Sequence, residues 1–146
     1  MGGRRKGREL ALQALYQLEI TSETSEEALA PLWEHSDAAA PAKAFARDLV
    51  RGVLARRADI DRQIADASEH WRVERLSRVD LTVIRIAIHE LTASPPLPVE
   101  IAVNEAVELA RRFGTAESAA FVNGLLDEVA GRLRRQRETN GDPDDG

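Results

Sequence analysis

Hydrophobic residues recur along this chain at three- and four-residue spacing, the repeat of an α-helix, and no stretch reads as a strand. The densest stretch is Arg78 to Leu91, RVDLTVIRIAIHEL, which is apolar on nearly every side. Leu76, Val79, Val83, Ile84, Ala87 and Leu91 make one broad stripe, while Leu81 and Ile88 fall outside it and need a second covering surface. Asp80, Arg85, His89 and Glu90 interrupt the stretch too often for a membrane span, which leaves a central helix with neighbours packed around it.

The other elements follow the same pattern. Helix one is predicted from about Arg4 or Arg5 to Ile20, with Leu10, Ala11, Ala14, Leu15 and Leu18 on a core-facing arc. Thr21 to Ser25 is a polar turn, and Ser25 with Glu26 and Glu27 opens a second helix whose apolar side is Ala28, Leu29, Leu32 and Trp33. After SDAAAP at 36–41, a third helix is predicted from about Ala42 towards Ala67, burying Phe45, Leu49, Val53, Ile60 and Ile64. Its other face, with Arg47, Arg51, Arg56, Arg57, Asp59, Asp61 and Arg62 interspersed in sign, reads most simply as solvated. Ser68 to Val73 is a junction, where Trp71 is more simply a plug between subdomains than a recognition residue.

Ser94-Pro95-Pro96-Leu97-Pro98 must stop the central helix, because proline lacks a donor and restricts the residue before it. Pro98 can then start a helix that buries Val99, Ala102, Val103, Ala106, Val107, Ala110 and Phe113 and that Gly114 closes. Thr115 is expected to cap the last helix, with Glu117 in its first turn and Phe121, Val122, Leu125, Val129 and Leu133 on its core side. The expectation is an all-α fold in one domain over 1–138. It comprises an N-terminal three-helix subdomain (4–67) and a C-terminal helical subdomain (71–137), packed around the central hydrophobic helix. An acidic tail read as disordered follows at 139–146.

Composition adds limits. The 146 residues, 43% hydrophobic, suffice for one compact domain without staples. No cysteine is present, which removes disulfides, thiolate nucleophiles and cysteine-ligated zinc; a cytoplasmic location is the default expectation. No targeting or membrane-spanning segment is visible. The net charge of −5 argues against a nucleic-acid partner until its distribution is read. Arg4, Arg5, Lys6 and Arg8 put four cations in the first eight residues; Arg132, Arg134, Arg135 and Arg137 put four more near the other end, masked by the acidic tail. The positive end of a helix dipole disfavours cations, so the first turn is costly unless an anion compensates it; a solubilising tail beside a core-edge Tyr16 is the plainer alternative.

Catalytic chemistry finds no footing. His35, His70 and His89 lie far apart without metal-binding spacing, so no metal or cofactor is expected, and there is no glycine-rich phosphate loop. Asp80 and Glu90 fall near the apolar arc of the central helix, where a carboxylate more often bridges helices by accepting from an arginine than performs catalysis. Phe121-Val122-Asn123-Gly124 breaks helical preference, glycine costing about 1 kcal/mol against alanine. Either another helix crosses tightly there, or the segment is a ligand surface, with Asn123 hydrogen-bonding and an aromatic edge for an unpaired base.

Four blocks then resemble one family in order and spacing: RRKGRELALQALYQLE, RVDLTVIRIAIHEL, VNEAVELARRFG and FVNGLLDEV are similar to blocks of the NusB transcription antitermination proteins, over about residues 4 to 130. The resemblance implies an all-helical fold without catalysis that binds the boxA element of nascent ribosomal RNA. It also implies pairing with the ribosomal protein that doubles as NusE, within an RNA polymerase antitermination complex. It marks Arg4, Arg5, Lys6, Arg8, Tyr16, Glu117, Phe121 and Asn123 as RNA-binding positions and Asp80 as a position facing the protein partner. The chain departs from the family pattern at Lys6-Gly7 within the basic run. Two alternatives stand beside this reading: the similar RNA-binding domain of ribosomal RNA cytosine methyltransferases, and a helical interaction module whose basic ends are incidental. Whether the free protein is monomer or homodimer stays open.

Overall fold

In the computed structural model, residues 2–68 and 76–139 are described. His70, Trp71 and the rest of segment 69–75, together with 140–146, lie outside the described residues, and so does the expected role of Trp71 as a plug. The described residues are helical without strands: α1 (Gly2–Thr21), a single 3-10 turn (Glu26–Leu29), α2 (Ala30–His35), α3 (Ala40–Ala55), α4 (Arg57–Ala67), α5 (Arg78–Thr92), α6 (Val99–Phe113) and α7 (Ser118–Thr139).

The central stretch becomes α5, and it packs against α1, α3, α4, α6 and α7. Val83, Ile84, Ile86 and Ile88 are almost wholly buried, joined from the neighbouring helices by Val50, Val53, Ile60, Ile64, Val122, Leu125 and Leu126. Five partners explain why this helix is apolar on nearly every side: little of it is left for water. Ser77 caps it by accepting from the Asp80 N–H at 3.0 Å. Contacts of α1, α3 and α4 with α5, and of α4 with α7, cross the boundary expected between the two subdomains.

Three expectations need correction. The helix drawn from Ala42 to Ala67 is two helices, broken at Arg56, whose φ of −114° and ψ of 15° leave the α region. The break turns the chain so that α3 packs on α1 while Ile60 and Ile64 of α4 reach the core beside α5 and α7. Nor is the charged face of these helices simply solvated. Arg57 donates to Glu19 at 2.9 Å, Asp61 accepts from the buried Arg85 at 2.8 and 3.1 Å, and Arg56 donates to Thr92 at 2.6 Å. These pairs stitch α4 to α1 and α5. Gly114 closes α6 as expected, its N–H donating to the Ala110 carbonyl at 2.9 Å, though with an ordinary extended backbone (φ −97°, ψ −158°), and it is needed for space: a Cβ would sit 2.8 Å from that carbonyl oxygen. After it the Thr115 hydroxyl does not cap α7; its N–H donates to Ser118 Oγ at 2.9 Å instead.

Candidate nucleic-acid interface

The first turn of α1 carries Arg4, Arg5 and Lys6, all exposed, and no acidic residue to balance the helix dipole. Each has a different neighbour. The Arg4 guanidinium lies over the Phe45 ring of α3 at 5.8 Å from its centroid, Arg5 donates to Glu105 of α6 at 3.2 Å, and Lys6 lines a groove. What lets α1 approach α3 here is Gly7: a side chain would place its Cβ 2.6 Å from Phe45 Cδ1 and 3.1 Å from the Ala42 carbonyl oxygen. The glycine in the basic run is thus a packing requirement that brings Arg4 and Arg8 onto one aromatic ring.

Arg8 differs from its neighbours. The sequence groups it with the other three cations as an RNA-binding position, but it is 4% exposed and part of the packed interior. Its Nε and Nη2 donate to both carboxylate oxygens of Glu90 at 2.9 Å each, and its guanidinium stacks on Phe45 at 5.3 Å. A bidentate, charge-assisted pair is the strong form of this interaction, and here it fastens α1 to the end of α5. Glu90 is therefore the helix-bridging carboxylate. Glu105 stands on the other side, 3.9 Å from Arg8 Nη1, so that one carboxylate of α6 faces both Arg5 and Arg8.

The groove next to this turn has a volume of about 820 Å³ and is walled by α1, α2 and the end of α6. Lys6 and Tyr16 lie on it, with Gln13, His35, Arg112 and Phe113, and Tyr16 and Phe113 are the large hydrophobic side chains exposed there. Arg112, which pairs with Glu9 and covers Phe113 at 5.2 Å, was not singled out from the sequence. The signal was present: two arginines ending α6, where the helix dipole favours cations. Asp80 does not line the groove, but its neighbour Val79 does; Asp80 is buried, and its Oδ1 has no hydrogen-bond partner among the described residues.

The remaining candidates gather at the start of α7. Glu117 is exposed and accepts from the Thr115 hydroxyl at 3.2 Å; Asn123 is exposed; Phe121 is half-buried and packs against the core. Around a Cβ built at Gly124 nothing lies within 4 Å, so the tight helix crossing weighed for this segment does not occur. Lys6 and Tyr16 thus share a groove, while Glu117, Phe121 and Asn123, at the start of α7, lie outside its lining.

Comparison with known proteins decides what this architecture is. The NusB family model matches residues 5–131. The chain belongs to the NusB family. Its relatives include the transcription antitermination protein NusB of Myxococcus xanthus, 51% identical over 92% of this chain and 99% of the relative. That of Geobacter sulfurreducens is 46% identical over 91% and 97%. Transcription antitermination is accordingly the function of this NusB-family chain. Among solved structures, Thermotoga maritima NusB superposes with a TM-score of 0.78 at 38% identity, covering 88% of this chain and 90% of that one. Two more distant chains share the fold: NusB from Aquifex aeolicus (TM-score 0.80, 21% identity, 100% of this chain and 97% of that one), and a chain in the crystal structure of a plectonemic RNA supercoil. The latter has a TM-score of 0.77 at 22% identity, over 92% of this chain and 98% of that one.

Proposed function

We propose that this NusB-family protein acts in antitermination by holding the single-stranded boxA element of nascent ribosomal RNA against the first turn of α1. Arg4, Arg5 and Lys6 meet the phosphates. Tyr16, together with Phe121 and Asn123, offers an aromatic edge and hydrogen bonds to unpaired bases, with Glu117 at the margin. Arg8 contributes indirectly: paired with Glu90, it fixes the helix that presents the other three. The observation that carries this reading is the set of three exposed cations at a helix end that repels them, a placement an anion relieves. The open face at Gly124 supports it, because no helix accounts for the break in pattern there.

Three phosphate contacts give modest affinity and little sequence preference, so a protein partner has work to do. We assign that role to NusE at the start of α5, the turn that carries Asp80. A basic ribosomal protein complements the net charge of −5 of this chain, within the cytoplasmic, RNA polymerase-associated complex. No step of this function requires catalysis. The Myxococcus relative is matched over 99% of its own length, which leaves that protein no room for a methyltransferase domain and favours the non-catalytic reading.

The test is the affinity for a boxA strand and a scrambled strand, with and without NusE, across a salt series. Support is a boxA preference that NusE strengthens, with a log–log salt slope of about −2 for three single-strand phosphate contacts. Equal, weak binding of both strands that NusE leaves unchanged refutes it.

A further inference from the structure

Glu90 links the basic start of α1 to the loop that walls a second groove beside the basic end of α7. Its carboxylate holds Arg8 of α1, while its main-chain carbonyl accepts from the Leu97 N–H at 2.9 Å. Leu97 in turn forms one wall of that groove, which has a volume of about 270 Å³ and is floored by Leu91, Val99 and Leu133 and edged by Arg134 and Arg137 of α7. Both arginines are exposed, and neither has an ion pair among the described residues, whereas Arg132 and Arg135 sit beside Glu128. They stand three residues apart on one helical face, in the last turns of α7, where the dipole favours cations. This end therefore carries its charge without the strain of the first turn of α1.

We propose that Arg134 and Arg137 are a second phosphate-binding site, taking the nucleotides that flank the segment held at Arg4, Arg5 and Lys6, with the apolar floor accepting the face of an unstacked base. The proposal rests on the RNA-binding reading and extends it. The geometry favours a polyanion over an acidic protein for two reasons. The cations lie at intervals along a helix rather than in a fork around one point, and the apolar floor of Leu91, Val99 and Leu133 lies beside them, where the face of a base can rest. Glu138 lies on the same rim and opposes an anion, which limits the strength of the site and supplies a control of opposite sign.

The experiment uses the full chain and two RNAs, a boxA-only strand and a boxA strand extended by unpaired nucleotides on both sides. Arg134→Ala with Arg137→Ala should weaken the extended strand several-fold and leave the short one unchanged. It should also lower the salt slope for the extended strand by about 1.4, two contacts at about 0.7 each. Glu138→Gln should strengthen the extended strand alone, and Arg134→Lys with Arg137→Lys should retain most of its affinity. If the wild type binds the extended strand no better than the short one, or the double alanine variant equals the wild type on both, the second site is refuted while the α1 site stands. If the wild type binds neither RNA, the underlying reading fails and the second site with it.

Discussion

Arg5 and Arg8 lie one turn apart on the same helix, are the same residue type, and do opposite work. Arg5 is exposed and reaches a carboxylate that is itself partly in water. Arg8 is closed over by Phe45 and clasped by both oxygens of Glu90. Screening leaves an exposed ion pair nearly neutral for stability, while a buried pair cannot lose one member without stranding the other. Charge alone therefore says little about role; the partner and the solvent decide it.

The sharpest way to break this contrast is Arg8→Ala. It strands the Glu90 carboxylate at the end of α5, and the expected loss is about 3–5 kcal/mol in chemical denaturation. Arg8→Met combined with Glu90→Leu should recover much of that loss, because no charge is left buried. A loss below about 1 kcal/mol for the single variant would show that the clasp opens to water in solution.

The same contrast explains what could be read from the sequence. Between Val53 and Ile60, Arg56 and Arg57 stand at the two positions where the apolar stripe should continue, a visible gap that in the structure is the break between α3 and α4. Periodicity reports which residues face a core, so the central helix and its neighbours were legible. It does not report how a helix turns to meet a second neighbour, nor which of four cations falls over the edge of the core. Arg8 lies at the stripe's end, and only the position of Phe45 and Glu90, distant in sequence, turns it inward. For the site, the cationic turn was legible as charge, but the groove shared by Lys6, Tyr16 and Arg112 needs three helices in register and has no signature in any one of them.

A smaller effect is expected where α3 crosses α5. A Cβ at Gly52 would lie 2.2 Å from His89 Cε1, so Gly52→Ala forces the imidazole aside; overpacking of this kind costs about 1–3 kcal/mol, partly offset by alanine's better helix propensity. In a double-mutant cycle, His89→Ala should remove the clash, so that Gly52→Ala becomes neutral or stabilising in that background. Additive losses would mean that the ring already has room to move.

His89 also gives the fold a mild sensitivity to acid. Burial is the main cause of its lowered pKa, and the nearby Arg56 guanidinium adds to it against the weaker opposite pull of Glu90. The unfolded chain then takes up a proton near the ordinary histidine value, about 6.5, while the folded chain still resists it. Stability is thus fully present above that value and falls as pH drops below it, until the folded-state pKa is passed. His89→Gln should flatten this part of the pH–stability curve, and an unchanged slope would assign it to other groups.

The smallest stability effect should come from the residues with the largest proposed effect on RNA. Arg4→Ala, Arg5→Ala and Lys6→Ala together remove three cations from the wrong end of a helix dipole, so the melting temperature should hold or rise slightly. Over the same variant, affinity for the boxA strand and its salt slope should collapse. This separation is what divides the two kinds of arginine: Arg8→Ala should lose RNA binding only in step with lost folding, whereas the triple variant loses it while folded. A triple variant that melts early would place these side chains in the packing of α1 on α3, through Arg4 and Phe45, and would remove the distinction between the exposed turn and the buried clasp.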